Sequence, residues 1–134
     1  MHGQTAFEYL MIFSIVFIIL TILIVYSQQI TLRNREEMRI TNAITAVNKI
    51  VDAADIVFTQ GSPSQLTVSI YIPEGVDSIQ INNNIFLIKI RVAGEITDIF
   101  AISKTNLQGS ISTDPGTKKV KVIAEENYVN ITEG

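Results

Sequence analysis

Residues 9–26 hold sixteen apolar side chains in eighteen positions, interrupted only by Ser14 and Thr21. No charged residue stands between Glu8 and Arg33, a gap of 24 residues. An eighteen-residue helix covers ~27 Å at 1.5 Å per residue, close to the ~30 Å of bilayer hydrocarbon. Tyr9 and Tyr26 bracket the run, and amphipathic rings favour such boundaries. The whole chain is 47% apolar, but outside this run the share falls to about 40%, ordinary for a soluble domain. The sequence therefore predicts a membrane-length helix joined to a water-soluble remainder, and 134 residues leave room for one such domain.

A secretory signal peptide is the first alternative for an N-terminal apolar run. Its apolar region spans about 7–15 residues and ends at a small-x-small cleavage site. Here the run is longer, and Val25, Tyr26, Ser27, Gln28 and Gln29 offer no such site, so the segment is expected to be retained. Charge leaves its orientation in conflict. Arg33, Arg35 and Arg39 follow the span, and the positive-inside bias would hold that side in the cytoplasm. A patterned domain carrying a glycosylation sequon would then sit inside the cell.

Residue types exclude several chemistries. There is no Cys, and the one His is His2, so disulfides, thiolate or His-cluster metal sites and a catalytic triad are not expected. Net charge is −3, without the basic footprint of a nucleic-acid binder. With no Gly-rich phosphate loop either, the reading expects no enzyme, no cofactor and no metal.

Glu8 stands at the lip of the apolar run. A carboxylate there costs a few kcal/mol unless it is paired or reaches water. Taken alone it could snorkel to the headgroups. It has company: Gly3, Gln4, three further residues, then Glu8 and Tyr9 lead directly into the apolar helix. This order resembles the class III signal sequence of archaeal type IV pilin-like proteins. The resemblance covers about the first 25 residues; the leader is three residues long and lacks Lys or Arg before Gly3. It implies cleavage by a prepilin peptidase between Gly3 and Gln4, with Gln4 as the mature first residue. It also implies retention of the helix and polymerisation into a surface filament, with Gln4, Glu8 and Tyr9 serving assembly. The physics is coherent: a new α-ammonium on Gln4 would need a counter-charge in an apolar core. Glu8 could supply it to a neighbouring subunit, or to its own chain at i, i+4.

Neither Pro nor Gly occurs between Gly3 and Gly61, so nothing interrupts a helix there. After a polar patch at 27–29, Ile40, Ala43, Ile44, Val47, Ile50, Val51, Ala54, Val57 and Phe58 form one stripe of period 3.6. The expected helix is about 55 residues and ~80 Å long. Its first half is apolar all round and suits sister helices; its second half is amphipathic and suits its own β domain. Tyr9, Phe13 and Phe17 recur at i, i+4, i+8, a stripe better explained by helix or lipid packing than by a cofactor. Gly61, Ser62 and Pro63 then stop the helix.

Short alternating runs follow at 65–72, 78–82, 85–93, 95–103, 118–124 and 128–132. Turns are expected at residues 82–84, 93–94 and 113–116. The run 85–93 is apolar on both faces and is therefore expected to be central. The fold class is α+β: a long N-terminal helix, apolar then amphipathic, packed on a small antiparallel sheet or sandwich. The expected divisions are a leader at 1–3, a transmembrane or filament-core helix at 4–28, its amphipathic continuation at 29–60, and a β head at 61–134.

Chemistry in that head is sparse. Asp52 and Asp55 read as solvated edge residues rather than a cation site. Glu125 and Glu126 diverge as sequence neighbours, and Lys118, Lys119 and Lys121 read as a solubility patch. Asn130, Ile131 and Thr132 form the one N-x-[ST] sequon; alternation puts Asn130 on the wet face, where a glycan needs it. The resulting expectation is an adhesive pilus-like filament on the archaeal cell surface. Its partners are copies of itself, the membrane before assembly, the peptidase and the assembly machinery; its surface ligand is unspecified. A monomeric signal-anchored binding domain and a minor pseudopilin of a secretion or uptake machine remain as alternatives.

Overall fold

A computed structural model describes residues 2–134, and Met1 of the expected leader lies outside the described residues. The fold is α+β: one helix, α1 (His2–Gln60), followed by seven strands. The chain divides into two compact units, one ending at Arg35 and one from Glu36 to Gly134.

In the first unit α1 is unbroken, and every described residue through Arg35 is exposed. Phe13 is 69% exposed and Leu20 50%, so this stretch buries nothing within its own unit. Its few hydroxyls are satisfied locally. Ser14 Oγ donates to the Leu10 carbonyl and Thr21 Oγ1 to the Phe17 carbonyl, each at 2.8 Å. Such back-bonding lets a hydroxyl enter an apolar medium without an unmade hydrogen bond.

In the second unit α1 continues as an amphipathic helix, its first half-buried residue Glu36 and its first fully buried one Ala43. The expected stripe is largely the buried one, but the arc is shifted. Ala46 and Ala53 are 1% and 2% exposed, while Ile44 and Phe58 are 44% and 39% exposed. Counting large hydrophobes misplaces the centre, because the small Ala46 and Ala53 are buried as fully as the larger side chains beside them. Gly61 closes the helix at φ 87, its N–H reaching back to the Val57 carbonyl at 3.1 Å. This left-handed cap suits a residue without Cβ.

The strands are β1 (Gln65–Ile72), β2 (Val76–Asn82), β3 (Ile85–Val92), β4 (Glu95–Ile102), β5 (Asn106–Ser110), β6 (Gly116–Ala124) and β7 (Tyr128–Glu133). They form two sheets, ordered β1-β6-β7-β5 and β2-β3-β4. The second is an antiparallel meander with β3 central, as its two apolar faces imply. Asn83 and Ala93 take the left-handed conformation in its two tight turns, with φ 52 at each.

The first sheet differs from an all-antiparallel expectation, since β5 pairs with β7 in parallel. The chain leaves β5, steps past one strand position to β6, and returns as β7 between them. The segment around 113–116 is consequently a crossover, not a hairpin turn. Ser112 Oγ braces it, donating to Asp114 Oδ2 at 2.9 Å while accepting the Asp114 N–H at 3.2 Å. β5 escapes sequence detection because Asn, Gln, Gly and Ser make up four of its five residues.

Inner faces of both sheets and the buried arc of α1 share one core. Ile70, Ile72, Phe86, Ile88, Ile90, Val120, Val122, Val129 and Ile131 are each at most 2% exposed. Burying a side chain of this size stabilises by about 1.5–3 kcal/mol. The unit from Glu36 onward therefore has its own hydrophobic core, and the residues before it contribute none of it.

Candidate functional site

The expected assembly residues all lie in the exposed first part of α1. Gln4 and Glu8 are four apart and share a helix face. Tyr9 follows, 70% exposed. His2 and Gly3, the described part of the expected leader, belong to the first turn of α1. The Gly3–Gln4 junction is exposed, and nothing stands within 4 Å of where a Gly3 side chain would begin.

The apolar side chains that follow point in every direction around α1, exposed from Phe7 to Tyr26. This helix is long and apolar enough to cross a membrane. An apolar surface of this extent is of the kind that lipid or other apolar helices cover, and a single carboxylate, Glu8, stands at its N-terminal end.

Asn130 sits on β7, which β6 and β5 flank. Alternation places it as expected: Val129 and Ile131 are fully buried, while Asn130 and Thr132 lie half-exposed on the opposite face. Nearby, the three lysines do not form one patch. Lys118 points to the core side of β6, its side chain 9% exposed, and pairs with Glu133 Oε1 at 3.0 Å. Lys119 and Lys121 are exposed. Glu133 also accepts the Ser112 N–H at 3.0 Å. That backbone hydrogen bond first, and the Lys118 ammonium second, hold the Glu133 carboxyl below the ordinary glutamate range.

Asp55 is more than a solvated edge residue. Its Oδ1 accepts the Ser103 hydroxyl at 2.6 Å and the Lys104 N–H at 2.9 Å, tying α1 to the β4–β5 loop. Ser103 is 3% exposed and Thr105 6%, so this clasp satisfies polar groups that the fold has buried. Asp52 stays exposed on the helix. Arg39 reaches Glu74 at 3.8 Å, joining α1 to the β1–β2 loop. Glu125 lies in the β6–β7 turn, where its N–H meets the Tyr128 carbonyl at 2.8 Å; Glu126 is exposed beside it.

Sequence reasoning passed over one further surface. β4 is apolar on both faces, with Ile99 facing the core and Ile96, Phe100 and Ile102 outward at 51%, 60% and 60% exposed. The same two-faced pattern that marks β3 as central occurs here at the end of a sheet. The signal was present in the sequence; strand order gives it a different meaning. No family model, curated protein or solved structure matches this chain.

Proposed function

We propose that this chain is the structural subunit of an archaeal type IV pilus-like surface filament serving adhesion, without an enzymatic role. A helix surface apolar on every side, in a segment that buries nothing in its own compact unit, carries the reading. A separate core in residues 36–134 leaves that helix free for other partners. The order Gly3, Gln4, Glu8, Tyr9 ahead of the apolar run, with its likeness to a class III signal sequence, supports the same conclusion.

In this mechanism the helix first lies in lipid, and a prepilin peptidase cuts between Gly3 and Gln4. The Gln4 α-ammonium and the Glu8 carboxylate then neutralise each other, within a chain or between neighbours. An unpaired charge in an apolar bundle is costly, so the pairing fixes where an incoming helix stops along the filament axis. Lipid is exchanged for sister helices, and the β heads remain in water. The exchange leaves apolar packing in place, while the charge pair supplies register. Asn130, half-exposed on the outer face of β7, carries a glycan in this setting.

N-terminal sequencing and intact mass of the protein from its native membrane test the reading, together with electron microscopy of sheared surface material. The expected results are a chain beginning at Gln4, a mass above that of the bare polypeptide, and filaments. An N-terminus at Met1 with no filament in the sheared fraction would overturn it and favour the signal-anchored monomer. A bare mass alone would dispose of the glycan.

A further inference from the structure

The sheet ordered β1-β6-β7-β5 turns one face to the core, and its outer face holds the sequon at Asn130. In a chain with 13 acids, the four strands of this sheet contain one, Glu133. It lies on the same side of β7 as the buried Val129 and Ile131 and is paired with Lys118. The outer positions of these strands therefore carry no carboxylate. Lys119 and Lys121 are exposed there, and among the described residues neither belongs to an ion pair.

Register decides what surrounds Asn130. Ile123 stands opposite it on β6, and Gln108 on β5. Tyr128 and Thr132 lie two residues away along β7, on the same face. Lys121 is the partner of Thr132, one diagonal step from Asn130, and Lys119 follows two residues along β6. Ile123 is the one aliphatic side chain on this outer face. It is half-buried, and so is Tyr128. An aliphatic and an aromatic side chain thus flank the asparagine of the one N-x-[ST] sequon, with lysines on the next rungs.

We propose that the glycan on Asn130 lies down across this face toward β1 instead of standing away in water. Its first sugar covers Ile123 and the ring of Tyr128, and a sugar beyond it presents a carboxylate or sulfate to Lys121 and Lys119. This rests on the glycan of the filament reading, and adds where that glycan sits and what chemistry it carries. The C–H face of a sugar ring is apolar and weakly positive. Its removal from water against an aliphatic side chain and the negative face of an aromatic ring is favourable. Thr132 and Gln108 offer hydrogen-bond partners to the sugar hydroxyls beside them. The opposite course, toward β5, meets Asn106, Gln108 and Ser110, which supply neither apolar contact nor charge. An acidic sugar is selected because this face holds two ammonium groups and no carboxylate to repel it.

A double-mutant cycle on the full-length chain, purified in detergent from its native membranes, reads the contact. Ile123→Thr is made in the native chain and in a chain without the sequon, through Asn130→Gln or, as a second route, Thr132→Val. The denaturant midpoint of the head is measured for each. Threonine suits a wet strand face, so the shift caused by Ile123→Thr is expected to be several-fold larger where the glycan is present. Equal shifts in the two backgrounds overturn the inference. Lys121→Gln should lower the midpoint at low salt in the glycosylated chain alone, and the difference should fade at high salt; the same effect without the glycan overturns the inference as well. Mass spectrometry of the peptide holding Asn130 reads the chemistry. A carboxylated or sulfated sugar is expected, and a neutral glycan overturns the proposal. A bare Asn130 removes the glycan itself and this inference with it, whereas a glycan with equal shifts removes only its contact with the sheet. Neither result bears on polymerisation, which electron microscopy of the unsubstituted chain reads separately.

Discussion

Glu133 and Asp55 are both carboxylates near a backbone N–H, and they respond to different perturbations. Glu133 is held below the ordinary glutamate range by Ser112 N–H and Lys118. A depressed folded-state pKa contributes stability that is complete above the ordinary glutamate value, about 4.3, and is lost as pH falls through the folded value. The stability gap between the native chain and Glu133→Gln should therefore be constant above pH ~5 and shrink progressively below pH ~4. Thermal unfolding across that range in detergent measures it; a gap that widens on acidification would contradict the assignment. For Asp55 the expectation concerns hydrogen bonds. Asp55→Ala leaves the Ser103 hydroxyl without its acceptor where Ser103 is 3% exposed, and turns the N–H of the exposed Lys104 over to water. The expected loss is about 1–3 kcal/mol, read as a lower denaturant midpoint with unchanged slope. Asp55 was legible as a helix residue beside Asp52, but its partners lie nearly fifty residues away along the chain, beyond any local pattern.

At the scale of elements, β5 is held by its glycine. Gly109 has φ 124, and a Cβ built on it would run into the Ile131 main chain, its register partner on β7. Backbone collides with backbone there, so no side-chain adjustment relieves the contact. Gly109→Ala is expected to cost more than about 3 kcal/mol and to expose the β5 edge of its sheet. Faster limited proteolysis near residues 106–116 would report it; an unchanged cleavage rate would remove β5 from the list of structural supports. The helix and six of the seven strands were readable from period and turn residues, including the Gly61 stop and the Asn83 turn. β5 was not, since one apolar residue, Leu107, in five gives no alternation. Its parallel pairing with β7 was unreadable for the same reason: register there depends on close approach at Gly109.

At the scale of the whole molecule, the helix surface before Glu36 is exposed and every residue of the hydrophobic core lies after it. On the filament reading, Glu8→Ala should leave a membrane-inserted protein whose head unfolds at the same denaturant concentration, because Glu8 is not one of the residues that form that core. Filament yield should drop by about tenfold or more, as expected when a buried charge loses its partner. Normal yield of sheared filaments from this variant would sink the pairing of Glu8 with Gln4.

The apolar run at 9–26, its length and the carboxylate at its edge were settled by the sequence, because helix rise and bilayer thickness fix what eighteen such residues can do. The same holds for the α+β class, which follows from the change of period at Gly61. Tertiary structure alone decided which arc of α1 is buried, since alanines at 46 and 53 count in packing far more than in hydropathy. It also decided that β4 ends a sheet while β3 is enclosed. Both strands are apolar on two faces, and side-chain alternation carries no information about neighbours across the sheet; those come from pairings between residues distant in the chain.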